Sequence, residues 1–202
     1  MSTPPEIIDA LESVLEIYFS GVRHRERAAF ILCDNLVEMT CKTKAKQDDY
    51  RFNMACNFHD ACTAPGVLLP ADLKIRVVGY RNTRNNMQHA SAASTIDPMH
   101  CATAILDVIK VIDHCWTGTS TSMFSVRLKC ALRIIHLYSL DGDVSKREPF
   151  ENRMREKRWR TQDEKVRVNG RQIQPGLRDY WYIAIRMQTP LVDECLNDVG
   201  IP

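Results

Sequence analysis

Nowhere in this 202-residue chain does an uninterrupted apolar run approach the roughly 18 residues that a bilayer crossing requires. The opening MSTPPEIIDALESVLEIYF also lacks a basic n-region and a long charge-free apolar core, so neither a membrane span nor a secretory leader is expected and the reading is a cytoplasmic chain. Glycine is scarce, with eight in all, and none falls in a GxxxxGK or GxGxxG pattern, which argues against a nucleoside-triphosphate hydrolase and a dinucleotide enzyme. A GxSxG nucleophile elbow is missing too, and with it the usual serine hydrolase arrangement. There is no internal repeat and no low-complexity tract. A large charge of one sign is also lacking: the net charge is +2, too little for the whole molecule to attract polyanions.

What is present suits a folded globular chain. Apolar residues make up 45% and charged residues 26%, and the length fits one domain with an appendage and a real core. Eight cysteines, at 33, 41, 56, 62, 101, 115, 130 and 195, are scattered, and several fall on apolar stripes, as buried reduced thiols do. CNFHDAC offers Cys56, His59 and Cys62 in steps of three but has no companion CxxC pair. Two buried thiols and a capping histidine explain that spacing as well, so no metal is assigned. His24, His100, His114 and His136 have no nucleophile beside them and read as surface or satisfied core residues.

The apolar period is helical over the first two thirds. Ile7, Ile8, Leu11, Val14, Leu15, Tyr18 and Phe19 mark a first helix, with Thr3 before Pro4 and Pro5 as its start. Residues 23–46 form a second, apolar on two sides (Ala29, Leu32, Leu36 and Met39; Phe30, Cys33 and Val37) and therefore central. Residues 48–70 end in TAPGVLLPAD, a loop by its proline and glycine. A third helix spans about 73–89. A fourth opens at Asp97 and Pro98 and buries Ala102, Ile105, Ile109 and Ile112. A fifth follows TGTSTS with Phe124, Leu128, Ala131, Ile135 and Tyr138, and LDGD stops it.

Beyond residue 143 the pattern changes. A polar basic helix is expected near 145–160, then a hairpin in VRVNGRQI turning at Asn169 and Gly170, a third strand in YWYIAIRM, and a short terminal helix in PLVDECLND. The expected fold is mainly α: a helical bundle over 1–142, and a basic helix with a small β-hairpin or three-strand appendage over 143–202. Residues 146–171 hold ten basic and five acidic residues. Lys157, Arg158 and Arg160 are candidate RNA contacts there, and the nearby Trp159, Tyr180, Trp181 and Tyr182 could stack bases. A solvated helix face with Glu and Arg pairs at helical spacing, and aromatics holding the appendage to the bundle, account for the same residues.

The stretch YRNTRNNMQHAS concentrates chemistry on the third helix. Leu73, Val77, Tyr80, Arg84 and Met87 share one stripe, so Arg84 interrupts an apolar face, while Asn82, Asn85, Asn86 and His89 form a polar strip beside it. An arginine on such a stripe needs an anionic or strongly polar partner. A phosphate would serve: the guanidinium presents a rigid set of donors, and an imidazole with an unperturbed pKa near ~6.5 exchanges protons near neutrality. The pair suits RNA phosphodiester cleavage, with His89 transferring a proton at the 2′-hydroxyl or the leaving oxygen and Arg84 stabilising charge at phosphorus. That scheme needs no metal and no cofactor. Arg81, one turn earlier, is a further candidate phosphate contact.

RNNMQH, residues 84–89, resembles the motif of HEPN (higher eukaryotes and prokaryotes nucleotide-binding) domains, in which an arginine is followed after four to six residues by a histidine, commonly with an asparagine such as Asn85 next to the arginine. ERAAFILCDNLVEMTCK as an early helix, the motif near the end of a later one and a capped helix after it extend the resemblance over roughly residues 5–140. It implies a metal-independent endoribonuclease of single-stranded RNA whose site, with Arg84, Asn85 and His89 as catalytic residues, is completed where two domains meet. It also implies a role as a toxin or as an effector of antiviral defence. One copy of the motif is present, so a two-fold homodimer is expected, and an antitoxin or a larger effector subunit is a possible partner. HEPN-like domains also include inactive scaffolds and nucleotide-binding partner modules, in which Arg84 would merely snorkel at the bundle rim.

Overall fold

α2 (Arg25–Asp48) buries residues on two faces, and four of the other helices pack against it. The computed structural model describes residues 2–20, 23–89, 95–116, 126–159, 167–168, 171–172 and 189–201. α1 (Pro5–Phe19) and α5 (Pro98–Cys115) make the most extensive contacts with α2, and α3 (Phe58–Thr63) and α4 (Ala71–His89) lie against it as well. α6 (Val126–Tyr138) packs on α5. A 3-10 turn (Val144–Lys146) leads into α7 (Arg147–Trp159), and α8 (Thr189–Asp198) rests on α6 and α7. The described part is thus mainly helical. None of its helices is long and apolar enough to cross a membrane.

Local chemistry explains several of the helix boundaries. Asp97 caps α5 by accepting from the Met99 N–H at 2.7 Å and the His100 N–H at 3.2 Å, with Pro98 at the first helical position. α1 starts differently from the expectation: Pro4 holds the N-cap position without a side-chain bond, and the Thr3 hydroxyl is buried with no hydrogen-bond partner among the described residues. α3 falls in the stretch 48–70, to which the sequence assigns no helix, and ends where the proline- and glycine-containing loop begins. Asn57 nucleates it by accepting from the Asp60 N–H at 3.0 Å, so the cap is this asparagine rather than His59. α6 ends at LDGD, where a Cβ on Gly142 would collide with the carbonyls of His136 and Leu137, leaving glycine as the residue that fits.

The basic helix α7 is bound to the bundle. Phe150 and Met154 are fully buried, and Arg147 donates to the carbonyls of Leu137 at 2.9 Å and Ser139 at 3.1 Å, closing the end of α6. Arg153 pairs with Glu156 and Asp198, and Arg155 with Glu151. α8 buries Val192, Cys195 and Leu196, and Arg133 ties it down through Asp193 at 2.6 Å, Asn197 at 2.8 Å and the Ile201 carbonyl. Between them, β1 (Arg167–Val168) and β2 (Arg171–Gln172) pair antiparallel, with Arg167 opposite Gln172. The turn at Asn169 and Gly170 and the strand expected in YWYIAIRM lie outside the described residues.

All eight cysteines are free, seven buried and Cys56 half-buried. Burial pushes the Cys33 thiol well up, contacts with Cys115 and Cys62 raise Cys41, and burial together with Asp193 takes Cys130 up to about 11. The Cys41 contact lowers Cys62, but Cys62 is fully buried. Brief alkylation of the native protein near neutral pH is therefore expected to label Cys56 ahead of the other seven, as peptide mass mapping would show. Cys56, His59 and Cys62 do not converge: they are half-buried, exposed and buried in turn. Among the described residues no group of three or more His, Cys, Asp and Glu is placed to hold a metal ion.

α4 is attached in an unusual way. Of its 19 residues only Leu73, Val77 and Met87 are buried, and two buried aspartates hold its flanks. Asp107 of α5 accepts from Arg76 Nε at 2.8 Å, from the Tyr80 hydroxyl at 2.7 Å and from Lys110 Nζ at 2.9 Å. Burial works to raise the Asp107 carboxyl, but hydrogen bonds from Tyr80, Lys110 and Arg76 outweigh it and hold the group below the ordinary aspartate value. A lowered folded value supplies stability that is fully present above the unfolded pKa of about 4 and is lost as the pH falls through the folded value. In thermal melts between neutral pH and acid, Asp107→Asn should therefore lower stability at pH 7 and flatten its decline on the acid side.

Candidate functional site

The stripe read from the sequence is the face α4 turns inward: Leu73, Val77 and Met87 are buried, and Tyr80 and Arg84 are half-buried. What compensates Arg84 is a carboxylate of the chain itself. Arg84 Nε donates to Asp34 Oδ2 at 3.0 Å, while Arg81 Nε donates to Asp34 Oδ1 at 2.9 Å, so one carboxylate of α2 bridges two guanidiniums of α4. Asp34 is 2% exposed. Its carboxyl is pushed up by burial, pulled down by Arg81 and Arg84, and pushed up again by Glu38, with a net rise above the ordinary value.

The two arginines are held differently beyond that shared contact. Arg81 also bonds Glu38 and lies over the Phe58 ring, with its guanidinium carbon 4.2 Å from the ring centroid. Glu38 in turn pairs with Lys42 at 2.7 Å. Burial acts to raise the Glu38 carboxyl, but Lys42 and Arg81 prevail and hold it below the usual glutamate value. Arg84 spends its remaining bonds on neutral amides: Nη1 donates to Asn85 Oδ1 and Gln88 Oε1, each at 3.0 Å, and Nη2 to Asn35 Oδ1 at 3.3 Å. Lys42, Arg81 and Arg84 therefore face Asp34 and Glu38, three cations to two carboxylates across the cluster, and Arg84 has no second carboxylate of its own.

The structure brings Asn85 onto Arg84. His89, the last residue of α4, is exposed, and no hydrogen bond joins it to Arg84 among the described residues. Arg27 Nη2 reaches the Met87 carbonyl at 2.8 Å and fixes the end of α4 against the start of α2. Lys157 and Arg158 are on α7, but their side chains, and Arg160 altogether, lie outside the described residues. Asp34 and Asn35 are the site residues that motif reading missed. Their signal was present in ILCDNLV, where an acid and an amide interrupt the most apolar part of the central helix and need a polar partner from another element.

Chemically, this is an anchored guanidinium. Its Nε edge is fixed by a buried carboxylate, and its Nη edge carries amide oxygens that a stronger anionic acceptor, such as a phosphate oxygen, would displace. No protein-family model, no curated protein and no solved structure matches the chain, so the residues themselves carry the functional reading.

Proposed function

We propose that the chain is a metal-independent endoribonuclease of HEPN type, a HEPN-like bundle with a C-terminal hairpin, acting on single-stranded RNA as a homodimer and serving as a toxin or defence effector. The observation that carries this reading is the Arg84 guanidinium, held by Asp34 through Nε and covered only by neutral amides at its Nη edge, on the last turns of the helix that ends in exposed His89. In the reaction the RNA 2′-oxygen forms a bond to phosphorus as the bond from phosphorus to the 5′-oxygen breaks. The 2′-hydroxyl gives up its proton and the leaving oxygen gains one. Arg84 stabilises the charge that grows on the phosphoryl oxygens, Asn85 keeps the guanidinium in place, and His89 transfers a proton at one of the two oxygens. A two-fold pairing would set two such helix ends face to face.

A second reading draws on the same carboxylate. Because Asp34 compensates Arg84 within the chain, Arg81, Arg84 and Asp34 can serve purely as a brace in an inactive interaction or nucleotide-binding module. Digestion of single-stranded RNA in EDTA separates the two. The enzyme is expected to leave 2′,3′-cyclic phosphate ends and to lose at least about 100-fold in rate as His89→Ala with its fold retained. The absence of cleavage by the wild type, or equal cleavage by the variant, would sink the enzymatic reading.

A further inference from the structure

The start of α2, the end of α4 and the start of α5 meet at one end of the bundle. Besides the bond from Arg27 to the Met87 carbonyl, Cys101 Sγ of α5 lies 3.3 Å from the Glu26 carbonyl. His89 lies two residues past Met87, whose carbonyl is held by Arg27 of RHRER, residues 23–27. That stretch has three arginines and one glutamate, an excess of two positive charges in five residues, equal to the net charge of the entire chain. Its glutamate is already engaged, since Glu26 Oε1 lies 3.3 Å from Arg25 Nε. Arg23 and His24 are exposed, and the left-handed backbone of His24, φ 61°, turns the chain sharply where it enters α2. On the facing side, residues 81–89 of α4 contain no acidic residue. The carboxylates named at this end are Glu26, which pairs with Arg25, and Asp97, which caps α5.

We infer that residues 23–27 form the backbone-binding track for the RNA strand, with Arg23 taking a phosphate a short distance from the bond presented to His89. This rests on the ribonuclease reading for the strand's destination, and it places the contact surface on the bundle end rather than on α7. Sugar-phosphate backbone suits the surface because the exposed group it offers is the Arg23 guanidinium, which gives affinity without base selection.

The test uses the full chain and a single-stranded 2′-O-methyl RNA oligonucleotide, which lacks the nucleophilic hydroxyl and cannot be cut. Binding is followed by fluorescence anisotropy across a salt series for wild type, Arg23→Gln, Arg23→Glu and Lys129→Glu, the last making the same charge reversal at an exposed residue of α6. The expected result is a roughly tenfold loss of affinity for Arg23→Glu and a salt dependence shallower by about 0.7 in log–log slope for Arg23→Gln, with less than about twofold change for Lys129→Glu. Equal losses at positions 23 and 129, or no loss at 23, would overturn the track. Cleavage of ordinary RNA in EDTA by the same preparations separates the two claims. Cutting with undiminished binding by Arg23→Glu refutes the track alone, and binding through Arg23 without cutting refutes the nuclease alone. A wild type that neither binds nor cuts refutes both.

Discussion

Asp34→Ala is expected to cost about 3 kcal/mol of folding stability, the lower end of what removing one partner from a buried ion pair costs, because both guanidiniums keep an edge in water. For a chain of this size that corresponds to a fall of roughly 6 to 12 °C in the thermal midpoint. The size of the effect follows from sharing. A single carboxylate accepts from Arg81 at 2.9 Å and Arg84 at 3.0 Å, so its loss leaves half-buried Arg84 without a carboxylate and Arg81 with Glu38 alone, and brings the repulsion between the two cations into play. Asp34→Asn should recover part of the loss, since an amide oxygen still accepts one of the two bonds while the charge is gone. Circular dichroism melts of the three proteins decide this, and a midpoint within about 2 °C of wild type for Asp34→Ala would show that the bridge contributes little to the fold.

On the proposed ribonuclease reading, the second large effect is expected in cleavage. Arg84→Ala should lower the rate on single-stranded RNA by roughly 100- to 1,000-fold, the usual cost of removing one preorganised donor aimed at developing charge. Arg84→Lys is the sharper experiment, because an ammonium keeps the charge but loses the planar fork that reaches Asp34, Asn35, Asn85 and Gln88 at once. A loss in the lysine variant close to that of alanine assigns the function to geometry, and near-complete rescue assigns it to charge alone. Single-turnover measurements at saturating RNA keep binding from obscuring the comparison.

Where burial follows a simple period, the sequence and the structure agree closely. Ile7 to Phe19, Leu73 to Met87 and Ala102 to Ile112 were legible because apolar side chains recur at helical spacing, and Asp97 with Pro98 announced the start of α5 through its own chemistry. α3 was not legible, because a six-residue helix has too few turns to show a period and depends on the Asn57 cap. The docking of α7 was hidden for a related reason: its mean composition is strongly polar, and two residues, Phe150 and Met154, do most of its burying. At the site, Arg84, Asn85 and His89 could be read because they are neighbours in sequence. Asp34 could not be paired with Arg84, since 50 residues separate them and spacing within one helix says nothing about the face of another.

The tie between the beginning of α2 and the close of α4 has a consequence for biosynthesis. Asp34, Asn35 and Arg27 leave the ribosome well before Arg84 and Met87, so the earlier helix waits with unmatched groups until the later one arrives. A nascent or truncated chain that stops short of α4 carries the scaffold without the guanidinium, and a peptide cut from α4 alone carries the guanidinium without the carboxylate that aims it. Both halves of the brace are present only in the finished bundle, so its formation marks the joining of α4 to α2.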